Sequence, residues 1–217
     1  MRKAFDSELV ELHNSMLRMG SIVEKQLNSC VQALVDKDEV LAKKVIEKDN
    51  IIDDLEKEIE DKCIMLIAKE QPIATDLRII FTTLKIVTDL ERMADHAVDI
   101  AKISIRIKNE NYVKKLVNIP KMANLVQKMI KEALDAYVDG DKKAAYEVCA
   151  IDDEIDALYK EAFKSCIEIM IKDKTTINQL TQFLFVCKYL ERIGDHVTNI
   201  CEWTIYLVTG EHVDMNE

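Results

Sequence analysis

Eight acidic residues fall into four pairs at i, i+4 spacing: Asp49 with Asp53, Glu91 with Asp95, Asp152 with Asp156, and Glu191 with Asp195. On a helix that spacing stacks two side chains on one face, so each pair presents two carboxylates in one direction. Carboxylates held close repel one another and resist ionisation. Their oxygens suit hard cations such as Mg²⁺, Mn²⁺, Ca²⁺ or iron better than soft-site metals. Cation binding is therefore the chemistry these residues offer. The plainer alternative is a set of solvated helix charges balanced by Lys48, Lys57, Arg92 or Arg192. A lone D-x-x-x-D would be read that way, so the question is whether the pairs converge.

The register says that they do. In an antiparallel helical hairpin, residues level with one another share one index sum. Asp53/Glu91 and Asp49/Asp95 share a sum whose midpoint is Pro72, and Asp156/Glu191 and Asp152/Asp195 share one whose midpoint lies between Asp173 and Lys174. Both midpoints fall where a turn is expected. Rotation agrees: at about 100° per residue, Asp49 and Asp53 lie roughly 60° and 100° to one side of the apolar row Val45, Ile52, Ile59, Leu66. The row Val87, Ala94, Ala101 gives Glu91 and Asp95 the same offset. Four carboxylates should converge at the edge of each core. Asp99 extends the first acidic row by a further turn and joins the candidate ligands, whereas Asn199 stands in its place in the second copy. His96 and His196 follow cluster aspartates by one position, about 100° round the helix, so they are expected beside the clusters and not as ligands. Asp89 and Arg92 read as a surface or inter-helix ion pair, and Trp203 and Tyr206 as core or dimer contacts.

Long helices must position these pairs, and the composition provides for them. The 217 residues include only 4 Gly and 2 Pro, too few for the turns of an all-β fold. Breakers fall at Asp36-Lys37-Asp38, Gln71-Pro72, 109–111, Pro120 (suited to a helix start), Asp139-Gly140-Asp141 and 172–176. They divide the chain into six helices near 5–35, 38–70, 75–108, 119–138, 141–171 and 176–208. The halves also repeat. With an offset of 103, Val35-Asp36, Asp38, Ala42, Val45, Asp49, Ile52, Asp53, Leu55 and Glu58 fall on Val138-Asp139, Asp141, Ala145, Val148, Asp152, Ile155, Asp156, Leu158 and Glu161; with an offset of 100, Leu90-Glu91-Arg92 and Asp95-His96 fall on Leu190-Glu191-Arg192 and Asp195-His196. A three-residue deletion near the Gln71-Pro72 turn reconciles the offsets. The expected architecture is all-α: two tandem, pseudo-symmetric three-helix bundles, at 1–110 and 111–217.

A net charge of −10 disfavours nucleic acid and anionic membrane as partners. Six cysteines with no CxxC read as reduced core residues. Residues 1–13 lack the apolar core of a signal peptide, and the longest apolar runs, such as 183–187, fall far short of the ~20 residues of a membrane span. A cytoplasmic location and no membrane insertion are expected. A helical-bundle carboxylate oxidase would need Glu-x-x-His, but the residues three before the histidines are Val10, Met93, Ile193 and Thr209. That sinks the ferritin-like oxidase; another carboxylate-metal bundle enzyme and a purely structural helical adaptor stay open as readings of the residues.

Glu70-Gln71-Pro72-Ile73-Ala74-Thr75-Asp76-Leu77-Arg78, Asp89-Leu90-Glu91-Arg92-Met93-Ala94-Asp95-His96 and Leu190-Glu191-Arg192-Ile193-Gly194-Asp195-His196 resemble the PhoU family of phosphate-uptake regulators. The resemblance runs from Phe5-Asp6-Ser7-Glu8-Leu9 to the last helix, departing at Met93-Ala94, where Ile-Gly is frequent. It implies two three-helix bundles whose D/E-x-x-x-D motifs bind metal, as multinuclear iron or as zinc and others, with manganese or magnesium also open. It also implies a cytoplasmic regulator acting with a phosphate ABC transporter's ATPase and a membrane sensor histidine kinase to hold phosphate-starvation genes off. A homodimer is expected, paired through apolar stripes in one of several ways.

Overall fold

The computed structural model describes residues 2–113 and 118–215, with side chains from Phe5 onward. The described residues are helical throughout apart from short connections, and contain no strand. The helices are α1 (Arg2–Asp36), α2 (Glu39–Glu47), α3 (Asp49–Glu70), α4 (Ala74–Ile107), α5 (Asn118–Asp139), α6 (Lys142–Lys172) and α7 (Ile177–Thr209). The six expected rods are present, and the second is interrupted once. At Lys48 the backbone relaxes to ψ −5 and the helix restarts with Asp49 in its first turn. Asp49-Asn50 are weak helix formers. In the second half, Ala150-Ile151 replace Glu47-Lys48, and α6 runs unbroken.

The duplication is visible in the turns. Lys37 (φ 57) and Gly140 (φ 61) both adopt the left-handed conformation, 103 residues apart. After them Asp38 N donates to Ala33 O and Asp141 N to Ala136 O, each at 2.9 Å, the long bond of a Schellman turn. The same two aspartates then cap the next helices: Asp38 accepts from Leu41 N at 2.9 Å, and Asp141 from Lys143 N at 2.9 Å and Ala144 N at 3.1 Å. The second hairpin turns differ. Left-handed Gln71 precedes Pro72 in the first, whereas Asp173 caps the 3₁₀ turn Lys174–Thr176 in the second.

The rows that define the inward faces, Val45, Ile52, Ile59, Leu66 and Val87, Ala94, Ala101, are all buried. One continuous apolar core runs through both halves. α4 and α7 lie at the centre and pack most extensively on each other, with α1, α2 and α3 against α4, and α5 and α6 against α7. All six cysteines are buried and none forms a disulfide, small core residues as their scatter suggested. Trp203 is half-buried on α7 among Phe81, Tyr206 and His212. No helix of the described residues is long and apolar enough to cross a membrane.

Candidate metal centres

Each carboxylate quartet straddles one hairpin, α3–α4 in the first half and α6–α7 in the second. The electrostatics show that its members share one space. Asp152 is pushed up to about 7, first by burial and then by Asp195, Asp156 and Glu191, all three of its partners. Asp195 is raised by burial and by Glu191 and Asp156. In the first half, burial and then Asp53 and Asp95 raise Asp49, and burial, Asp95, Asp53 and Asp49 raise Glu91. Asp49 Oδ1, Glu91 Oε2 and Asp152 Oδ1 are buried with no hydrogen-bond partner. Glu91 Oε2 has only a charge contact, Arg92 Nε at 3.3 Å without hydrogen-bond geometry. Buried carboxylate oxygens left in this state are costly.

The basic groups divide unevenly. Arg92 reaches Asp95 at 3.2 Å as well as Glu91. Lys160 pairs with Asp156 at 3.0 Å, and Lys188 grips both oxygens of Glu191. Gly194 lets the second hairpin close tightly: a Cβ there would lie 2.4 Å from Asp152 Oδ1. In the first half that position is Ala94.

The other candidate residues sort themselves around the α4–α7 seam. Asp99, one turn beyond Asp95, accepts from Lys102 at 3.1 Å and lines a small cavity with Phe185 and Tyr189 beside the seam. The histidines also face the seam. His196 Nδ1 lies 2.9 Å from Asp89 Oδ1, which Asn199 Nδ2 also contacts at 3.0 Å. His96 stacks on Tyr189 with ring centroids 5.4 Å apart; burial above all lowers it to about 4, leaving a neutral ring whose two nitrogens have no partner. The expected Asp89–Arg92 pair is not formed. Asp89 is buried and engaged by His196 and Asn199, whereas the exposed Arg92 turns to Glu91 and Asp95.

Two residues beside the clusters escaped the sequence reading. Glu56 is pushed up to about 7 by burial, then by Glu91 and Glu60, and Lys188 is the ammonium on Glu191. Extending the register by one turn would have found both, because Glu56 is level with Thr88, and Tyr159 with Lys188.

The donor set fits a hard cation: all oxygen, partly desolvated, mutually repelling, and with unpartnered atoms in both quartets. Among the described residues no three His, Cys, Asp or Glu side chains are already placed as ligands about one point. A cation would draw the carboxylates in by side-chain rotation.

Fold and clusters together define a class: a duplicated helical-bundle protein with a carboxylate quartet in each half. A family model described as the PhoU domain matches twice, at residues 16–104 and 119–204. The chain belongs to the PhoU family. It is 58% identical over 217 residues, spanning 100% of this chain and 99% of the relative, to a phosphate-specific transport system accessory protein PhoU homolog of Clostridium acetobutylicum. A Pseudomonas aeruginosa relative of the same description is 39% identical over 96% of this chain and 87% of its own. The crystal structure of PhoU from Pseudomonas aeruginosa matches with a TM-score of 0.92 at 38% identity, over 95% of this chain and 100% of that one. That of the phosphate transport system regulatory protein PhoU from Streptococcus pneumoniae matches with 0.91 at 34%, over 97% and 99%.

Proposed function

We propose that this protein is an accessory regulator of a phosphate-specific transport system, non-enzymatic, and that its two quartets bind cations. The full-length likeness to relatives described as accessory proteins of that system carries the first part. Its partners would be the transporter's ATPase and a membrane sensor histidine kinase, its location the cytoplasm, and its working form a homodimer. Deleting the gene should raise expression of phosphate-starvation genes in phosphate-rich medium; unchanged expression there would sink the reading.

The unpartnered buried oxygens of Asp49, Glu91 and Asp152 support the second part. Asp49, Asp53, Glu91 and Asp95 would hold one site, and Asp152, Asp156, Glu191 and Asp195 the other; iron, zinc, manganese and magnesium are the candidate ions. A bound cation would supply the positive charge that offsets the repulsion within each quartet. Stripping it should lower the melting temperature, because a ligand of the native state stabilises by mass action. An identical melting temperature with and without chelator, in protein whose metal content is measured, would refute cation binding.

A further inference from the structure

The two clusters are copies by descent but not by charge. The residue that follows the quartet by one turn is Glu56 in the first half and Tyr159 in the second, and the residue level with it is Thr88 in the first and Lys188 in the second. The second copy shows directly what this register brings together. Lys188 Nζ lies 5.6 Å over the Tyr159 ring while donating to Glu191. Position 159 therefore stands beside position 191, and position 56 beside position 91. In the first copy the strongest acidic influence on Glu56 is indeed Glu91. A turn further along, Glu60 corresponds to Phe163, which flanks Tyr159 with ring centroids 6.4 Å apart. The acidic edge of one half is an aromatic edge in the other. Arg92 recurs as Arg192 and Lys57 as Lys160, whereas Lys102, whose charge acts on Asp49, becomes Glu202, and Asn50 becomes Asp153, whose charge acts on Asp152. By direct contact the first cluster meets one cation, Arg92, and the second meets two, Lys160 and Lys188.

We infer that Glu56 is a fifth carboxylate of the first metal centre, and that Lys188 is a built-in counter-ion of the second, so that the first centre takes a hard divalent cation at lower concentration than the second. This rests on the cation reading above. In the first cluster five carboxylates face only the Arg92 guanidinium by direct contact, and two buried oxygens, on Asp49 and Glu91, lack a hydrogen bond. In the second, Glu191 has both oxygens engaged by Lys188, and one oxygen, on Asp152, is left without a partner. Affinity at all-oxygen sites rises with the charge and number of ligands. An ion entering the second centre must also displace an ammonium from Glu191.

The test is a Mn²⁺ titration of the metal-stripped full chain, with bound and free ion counted by electron paramagnetic resonance. Wild type should show two classes of site. Glu56→Gln should weaken the tighter class by about tenfold or more and leave the other unchanged, whereas Lys188→Met should tighten the weaker class. The second variant keeps the test decisive if the first folds poorly. One class of site, untouched by either substitution, would overturn the asymmetry while leaving cation binding intact; no Mn²⁺ uptake at all would overturn both.

Discussion

At the scale of single residues, charge crowding makes a pH-dependent protein. Asp152 and Glu56 stand near 7 and Asp49, Glu91 and Asp195 are raised, in each case first by burial. A carboxyl whose folded value is raised binds more protons in the native state than in the unfolded one. Stability is then highest at low pH and is lost as the pH climbs through the folded value. Glu39, lowered to about 2 mainly by its bonds to Lys108 and Lys43, acts only in the acidic range and does not touch this window. Below about pH 6.5 His96 and His13, both lowered by burial, make stability rise with pH and oppose this loss, so with chelator present the melting temperature should fall between about pH 6.5 and about pH 8. Asp152→Asn should shrink the fall, and a flat profile in wild type would contradict the crowding. Gly194 gives a second expectation. Alanine there gains about 1 kcal/mol of helix propensity but displaces Asp152 Oδ1 from 2.4 Å. Gly194→Ala should leave the melting temperature of the stripped protein within a few degrees of wild type while weakening Mn²⁺ at the second centre. Unchanged Mn²⁺ affinity would show that the close approach is unimportant.

At the scale of elements, most of the architecture was legible because helix length, breakers and apolar rows all follow one period. The rods end within a few residues of the expected places, and the level pairing placed both quartets. Three features were not legible. The interruption at Lys48 comes from local backbone preference, which a continuous apolar period masks. Asp89 faces the seam because α7 packs there, a tertiary fact that the spacing within α4 cannot express. Lys188 escapes because a lysine three residues before a glutamate reads as an ordinary surface pair. The repeated turn gives a matched experiment. Gly140→Ala forces a Cβ into a left-handed residue and should cost about 1 kcal/mol. Asp141→Ala removes two cap bonds and should also cost about 1 kcal/mol. Asp38→Ala, its counterpart, should cost a similar amount. Urea unfolding measures all three, and a negligible loss at Asp141 would mean that the cap does not hold the α5–α6 turn.

At the scale of the whole molecule, the two halves share one core, and the seam between α4 and α7 also carries polar contacts that neither half can satisfy alone. Asp89 of the first half accepts from Asn199 and meets His196 of the second; Arg106 donates to Gln182 at 2.7 Å; and, just beyond α4, Glu110 accepts from Gln179 Nε2 at 2.9 Å. Separating the halves would expose apolar surface on both central helices and unpair these groups, so neither half should survive the loss of the other. Wild type should therefore unfold in one calorimetric transition whose van't Hoff and calorimetric enthalpies agree. Asp89→Ala removes the acceptor shared by half-buried His196 and Asn199, a loss of about 1 kcal/mol. It should move that single transition to lower temperature without dividing it. Chelator should likewise shift the whole transition, since a cation lost from either quartet destabilises a unit that includes both. Two separate endotherms in wild type, with only one responding to Asp89→Ala, would show that the halves are independent bundles and that the seam transmits nothing between them.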